Sequence, residues 1–373
     1  MEFDDLLRLM VEKGGSDLFI TAGVAPSMKV NGKILPITKS ALTAQVVESL
    51  IHNVMSDKQR KEFAESKECQ FAIVDKNETA RFRVSAFVQR DSPGMILRRI
   101  ETHIPTVEDL KLPKIIEELA MTKRGIIIFV GATGTGKSTS LAAMIGHRNR
   151  HSQGHIITIE DPIEFVHQHA GCIVTQREVG IDTSSFDVAL KNTLRQAPDV
   201  ILIGEIRSRE VMDYAIAFAE TGHLVLSTLH ANNANQALDR IIHFFEADRH
   251  SQLYMDLSMN LKGIVAQQLV PTVDGKSRRG CIEVLLNSPL IQDYIRKGDI
   301  HEIKEVMKRS RELGMQTFDQ ALFDLYQAGE ITYENALLYS DSPNDLRLQI
   351  KLGNSADTRF LDHATRDLSI EEI

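Results

Sequence analysis

Hydrophobic and polar positions follow two regimes along the chain. In the first, short helical and strand periods alternate. Phe3, Leu6, Leu7, Leu9, Met10 and Val11 form a helical stripe that stops at Gly14-Gly15. Asp17 to Thr21 reads as a short strand. Met28 to Val30 and Lys33 to Leu35 flank Asn31-Gly32, the signature of a hairpin with a type I′ turn. Residues 43–65 read as helical, with Val46, Val47, Leu50, Ile51 and Val54 on one face. Phe71 to Val74 and Ala80 to Gln89 read as paired strands around an Asp-Lys-Asn-Glu turn. Alternation from Arg81 to Phe87 places Arg81 and Arg83 on one face, and Phe82 and Val84 on the other.

The second regime begins near residue 114. Short β-branched runs (Gly125–Val130, His155–Glu160, Gly171–Thr175, Val200–Gly204, His223–Leu229) alternate with helical patterns at 137–147, 185–195, 209–221 and 233–245. That order predicts an α/β domain with a mostly parallel sheet. Residues 252–338 read as mostly helical. Between the regimes, residues 101–113 carry two prolines and no clear period, which places a linker there. Thr106 with Asp109 resembles a capping box opening a helix. The expected organisation is an α+β domain over 1–105, an α/β domain with a helical C-terminal part over 106–345, and a polar tail over 346–373. In that tail Leu346, Leu348, Ile350 and Leu352 suit a strand or a short helix.

Composition narrows the function classes. The apolar fraction is 43% and the charged fraction 25%, ordinary for a globular protein of 373 residues. The net charge of −8 argues against a dedicated nucleic-acid binder. No apolar run approaches the ~20 residues that span a bilayer. The start of the chain lacks the basic and apolar regions of a secretory signal. Cys69, Cys172 and Cys281 are isolated, with no CxxC pair, which excludes a thiolate zinc site and points to reduced cysteines. The expectation is a cytoplasmic protein without direct membrane insertion.

Candidate chemistry begins at Gly131-Ala132-Thr133-Gly134-Thr135-Gly136-Lys137-Ser138-Thr139, which matches GxxxxGK[ST] between an apolar strand and a helix. The glycines let backbone N–H groups turn toward phosphate oxygens, and the following helix adds its positive N-terminus. Lys137 reaches the β- and γ-phosphates, and the Ser138 hydroxyl takes a Mg²⁺ position. The substrate and cofactor expected are ATP and Mg²⁺.

Such a site also needs carboxylates. One acidic segment is Ile157-Thr158-Ile159-Glu160-Asp161-Pro162-Ile163-Glu164. The other is Val200-Ile201-Leu202-Ile203-Gly204-Glu205, a Walker B-like strand ending in Glu instead of Asp. Glu205 is the expected metal-side carboxylate and Glu164 the general base, with Glu160 and Asp161 in support. His230 ends an apolar strand, where a γ-phosphate would sit in an α/β sheet. His151, His155, His167 and His169 lack the paired ligands of a metal site.

GATGTGKST, ITIEDPIEFVHQ, DVILIGEIR and AETGHLVLSTLHANN occur in one order. As an ordered set they resemble the PilT-like secretion and pilus ATPases, and the resemblance covers nearly the whole chain. It implies an N-terminal PAS-like domain followed by a RecA-like P-loop ATPase domain, assembled as a homo-hexameric ring. It also implies nucleotide bound between the domains with help from a neighbouring subunit. Lys137 and Ser138 fall in the family's phosphate loop, Glu164 at its catalytic glutamate, Glu205 at its Walker B glutamate and His230 in its His box. Arg81, Arg83 and Arg240 match arginines that approach the nucleotide.

Two departures point to the accessory branch of type IV pilus retraction ATPases. Principal retraction motors carry a helix reading AIRNLIRE; Leu290–Lys297 here keeps only Ile291, Ile295 and Arg296 of it. The tail is also longer. The implied function is an ATP-driven motor that assists pilus retraction and twitching motility beside a PilT-like ring. The implied docking partner is the inner-membrane platform protein. A principal retraction ATPase is the alternative. A GTPase would need an NKxD motif and an ABC ATPase an LSGGQ-type signature; the chain has neither. A nucleic-acid translocase is disfavoured by the charge.

Overall fold

The computed structural model describes residues 3–30, 32–76, 80–100 and 103–354. In chain order the first elements are α1 (Phe3–Glu12), β1 (Asp17–Thr21), β2 (Ser27–Val30), β3 (Lys33–Pro36), α2 (Ala44–Val54), α3 (Asp57–Ser66), β4 (Glu68–Val74), β5 (Arg81–Gln89) and β6 (Ser92–Ile100). Next come α4 (Ile115–Ala120), β7 (Gly125–Val130), α5 (Lys137–His151), β8 (Gly154–Glu160), β9 (Cys172–Glu178), α6 (Phe186–Thr193), β10 (Val200–Ile203), α7 (Arg209–Glu220), β11 (Leu224–Leu229) and α8 (Ala234–His243). The last are α9 (His250–Asn260), β12 (Leu261–Pro271), β13 (Arg278–Leu286), α10 (Pro289–Lys297), α11 (Ile303–Arg309), α12 (Phe318–Gln327), α13 (Tyr333–Leu338) and α14 (Pro343–Asn354). Packing divides the chain into two compact units. One holds the residues up to Pro105 with Asn149–Pro198; the other holds Thr106–Arg148 and the chain from Asp199 onward.

In the first unit a six-stranded antiparallel sheet has the order β3-β2-β1-β6-β5-β4. Its inward positions follow the strand period. Phe82, Val84 and Ala86 of β5 are buried with Leu18, Ile20, Phe71, Met95 and Leu97, and α1 and α2 add Leu7, Met10, Val47 and Ile51. Arg81 and Arg83 take the opposite face. The same unit holds the parallel pair β8–β9.

Two local features depart from the periodicity. β6 was not expected beyond Gln89, because its hairpin turn is Arg90-Asp91, without the usual Asn or Gly. Both residues have positive φ, 46° and 57°, as a type I′ turn demands. The helical stretch 43–65 is two helices. Met55 is extended, and Ser56 restarts the chain with a Ser56/Gln59 capping box. Asn31, and Asn77 and Glu78 of the second expected turn, lie outside the described residues.

In the second unit neighbouring strands run β13-β12-β7-β11-β10. β12, β7, β11 and β10 are parallel, and β13 is antiparallel at the edge. β7, β10 and β11 are buried along their whole length. Such strands carry helices on both faces. The stretch 252–338, expected to be mostly helical, does hold α9 to α13, but it also holds an unexpected long hairpin, β12 and β13. Their runs Ile264–Ala266 and Cys281–Leu285 are continuously buried, so they lack the alternation that marks a strand.

Thr106 and Asp109 do exchange the two capping-box hydrogen bonds, at 2.9 and 3.0 Å, but only a turn follows. Lys111 has φ 49° and Pro113 follows two residues later, so helix starts only at α4. α14 crosses the expected tail boundary at 346. It buries Leu346 and Ile350 and packs on α12 and α13. The rest of the expected tail, 355–373, lies outside the described residues. Among the described residues no helix is long and apolar enough to cross a membrane.

Candidate functional site

In the second unit three strand ends converge. β7 delivers the phosphate loop, β10 delivers Glu205 and β11 delivers His230. The carboxyl ends of parallel strands are where α/β sheets bind ligands.

The loop's shape requires its first glycine. Gly131 has φ 153°, and a Cβ there would lie 2.6 Å from both the Gln267 carbonyl and Thr135 Oγ1. Gly136 is similar, since a Cβ would meet Gln267 Nε2 at 2.8 Å. Gln267, buried in β12, therefore sits against both ends of the loop. Its Oε1 also accepts from Ser140 Oγ of α5 at 2.8 Å. Lys137 is 9% exposed. Its Nζ donates to the carbonyls of Gly131 and Ala132 at 2.7 and 2.8 Å, which satisfies a buried ammonium. Ser138 and Thr139 are half-buried in the first turn of α5. Thr133 and Gly134 are exposed at the loop tip, and Thr135 donates to Ala132 O at 2.9 Å.

Glu205 is positioned by side chains that lock β10 to β11. Ser227 Oγ donates to Ile203 O and Thr228 Oγ1 to Gly204 O, each at 2.7 Å. Ile206 N–H returns to Thr228 O at 2.9 Å. The Glu205 carboxylate is then held from two sides. Arg207 Nε donates to one oxygen at 2.8 Å, and His230 Nε2 lies 3.3 Å from the other.

After His230 the chain enters α8 through an Asn233 N-cap. A cavity of about 310 Å³ results. Gly131 and Ala132 form one side, His230 to Asn232 another, and Gln236 and Arg240 of α8 the third. Four residues singled out from the sequence, Gly131, Ala132, His230 and Arg240, thus share one cavity. Lys137 is bonded to two of them and Glu205 lies against a third.

The acidic segment belongs to the first unit. Glu160 accepts from Thr158 Oγ1 at 2.6 Å and Gln176 Nε2 at 3.3 Å, and burial pushes its carboxyl up to about 7. Glu164 is exposed. Glu178, almost fully buried in β9, accepts from Ile163 N–H at 3.2 Å and pairs with Arg83 Nε at 3.9 Å. Burial pushes the Glu178 carboxyl up, and the Ile163 N–H, Arg83 and Arg81 oppose that rise. Arg83 also donates to Gln70 at 2.6 Å. Arg81 Nε is buried and has no hydrogen-bond partner among the described residues. Arg81 and Arg83 are therefore brought together with Glu178, a residue the sequence motifs do not single out.

Gln267, Arg207, Asn232 and Gln236 were also missed. Gln267 has a signal, a polar residue inside the apolar run of β12, but it emerges only once that stretch is recognised as a strand.

The sequence model of the type II/IV secretion system proteins matches residues 4–337. The chain belongs to this family. It is 70% identical over 371 residues to the type IV pilus ATPase PilU of Pseudomonas aeruginosa, covering 100% of this chain and 97% of that one. It is 38% identical over 336 residues to the type IV pilus retraction ATPase PilT of the same organism, covering 90% of this chain and 97% of PilT. The crystal structure of the pilus retraction motor PilT with bound ADP superimposes with a TM-score of 0.87 at 37% identity, over 93% of this chain and 99% of that chain. The type II/IV secretion fold is thus shared almost end to end with a nucleotide-binding motor.

Proposed function

We propose that this protein is an ATP-hydrolysing motor of type IV pili that assists retraction beside a PilT-like ring. The cavity that joins the phosphate loop to His230 and Arg240 carries the ATPase part of this reading. Near full-length similarity to PilU and PilT supports the pilus part. In this reading the first-unit sheet over residues 1–105 is a PAS-like domain. Residues 106–345 form a RecA-like ATPase domain, and the working unit is a homo-hexamer. It acts at the inner face of the inner membrane through protein contacts with the pilus platform, without entering the bilayer.

The chemistry follows from charge. The loop N–H groups, Lys137 and the start of α5 bind the phosphates. As water attacks the γ-phosphorus and ADP leaves, negative charge builds on the transferred group, and Arg240 of the cavity opposes it; the family resemblance gives Arg81 and Arg83 the same role. Glu164 accepts the proton of the attacking water. The Ser138 hydroxyl and Glu205 carboxylate are hard oxygen donors, the type that suits Mg²⁺. Among the described residues no group of three or more His, Cys, Asp or Glu could hold a metal alone. When bound, it would neutralise charge on the β- and γ-oxygens.

The test pairs two measurements: ATPase activity of the purified protein and of Lys137→Ala, and pilus retraction in strains lacking this protein, its PilT-like partner, or both. Unchanged turnover in Lys137→Ala would remove the site assignment. Full loss of low-load retraction on deleting this protein alone would make it the principal motor.

A further inference from the structure

Glu283 lies in the middle of β13 and is 2% exposed. Its neighbours Cys281, Ile282, Val284 and Leu285 are all buried and apolar or nearly so. A carboxyl group in such a strand is costly, and an apolar residue would fill the space with less penalty. Burial, with Asp341 adding to it, pushes this group up to about 7 against the pull of the Ala234 N–H and Lys304. The donor it meets gives the reason it is there.

Glu283 Oε1 accepts the N–H of Ala234, the first residue of α8, at 2.8 Å. The backbone N–H of Phe318, the first residue of α12, also favours the charged form of this carboxyl. The N-caps of these helices serve other donors: Asn233 takes Gln236 N–H at 2.9 Å and Thr317 takes Gln320 N–H at 3.4 Å. The partly positive start of α8 is therefore bound directly by this carboxyl group, and that of α12 favours its charge.

What the two helices carry gives the contact its meaning. α8 presents Gln236 and Arg240 to the cavity, directly after His230–Asn232. α12 presents Asp319, which accepts the N–H groups of Asp341 and Ser342 at 2.8 and 3.2 Å at the entry to α14. Asp341 pairs with Lys304 of α11 at 2.5 Å. Partly buried polar contacts thus tie α11, α12 and the entry to α14 together, and Glu283 ties β13 to the cavity wall.

We propose that Glu283 is a positioning residue for the nucleotide cavity, fixing the α8 wall to β13 by holding the first N–H of α8. The proposal rests on the cavity being the ATP site.

The test uses full-length Glu283→Ala and Glu283→Gln, with steady-state ATPase kinetics, thermal melting and backbone hydrogen exchange. Loss of a charge-assisted hydrogen bond at the cavity wall should raise the KM for ATP about tenfold in Glu283→Ala, with kcat changed much less. Glu283→Gln keeps one acceptor oxygen and should recover most of that loss. Exchange at Ala234–Gln236 should quicken in the alanine variant without nucleotide. Folded variants with the parent KM and unchanged exchange at the start of α8 would overturn the proposal, as would a KM that follows melting temperature alone. If Glu283→Ala fails to fold, a raised KM with faster exchange at Ala234–Gln236 in Glu283→Gln supports it, and a parent KM overturns it. Lys137→Ala run in parallel separates the two levels. If that variant binds ATP normally, the cavity assignment fails, while the exchange data still report on the grip of Glu283.

Discussion

His230 Nε2 lies 3.3 Å from Glu205 Oε1, across the ends of two adjacent parallel strands. Arg207 Nε holds the second Glu205 oxygen at 2.8 Å. The carboxylate is oriented by two groups, only one of which also lines the cavity. His230 therefore links the cavity to the Walker B-like glutamate.

Residues acting as one unit are non-additive when removed. Glu205→Gln and His230→Ala should each lower kcat for ATP hydrolysis by about two orders of magnitude or more. The double variant should be little worse than the poorer single one. Steady-state ATPase kinetics on the four proteins checks this. Losses that multiply would show that the pair does not act together.

The phosphate loop predicts an order among glycine substitutions. Gly131→Ala places a Cβ 2.6 Å from the Gln267 carbonyl, a backbone atom that cannot swing aside. Gly134→Ala meets nothing within 4 Å and suffers only its φ of 78°. The second variant should lose about 1–2 kcal/mol from left-handed strain. Gly131→Ala should lose more and should also lose nucleotide binding. Thermal melts and a nucleotide titration decide it; equal behaviour would mean that the loop is not braced on β12.

Much of this site was legible because its chemistry is written in contiguous strings. Gly131–Thr139, Glu205 and His230 each sit at the end of an apolar run, where a strand must stop. The apolar runs before them mark all three as strand-end positions. The braces were not legible, because they come from β12 and β13. Gln267 and Glu283 are buried there in unbroken apolar stretches that fit a helix as well as a strand. β6 escaped for a related reason, since Arg90-Asp91 is a left-handed turn without the glycine that announces one. Arg81 and Arg83 were correctly placed on one face of β5. That Glu178 faces them is a long-range pairing no local pattern records.

His167 predicts a loss of stability in acid. It is 8% exposed, and burial pushes its ring down from 6.5 to about 4. The unfolded chain binds the proton at a pH where the folded protein does not. The contribution is complete above about 6.5 and is lost as pH falls through the window down to about 4. At roughly 1.4 kcal/mol per pH unit it amounts to at most about 3 kcal/mol. His167→Gln should flatten that limb in denaturant unfolding at pH 7, 6 and 5. A variant whose curve stays parallel to the parent's would exclude His167 as the cause.

Glu160 predicts the opposite slope. Its carboxyl rises from 4.5 to about 7 because burial disfavours the charge, and Glu164 and Glu178 repel it further. The folded protein holds a proton here that the unfolded chain has released. Stability from this group is therefore full below about 4.5 and declines as pH rises, with the loss complete above about 7. The two windows overlap, so the parent's curve alone can look flat while each group contributes. Single variants separate them. Glu160→Gln keeps an acceptor for Thr158 Oγ1 and removes the charge, so it should match the parent near pH 4.5 and exceed it near pH 8. Denaturant unfolding at both pH values measures the difference, and a variant less stable than the parent at pH 8 would show that the charged form is needed for the fold.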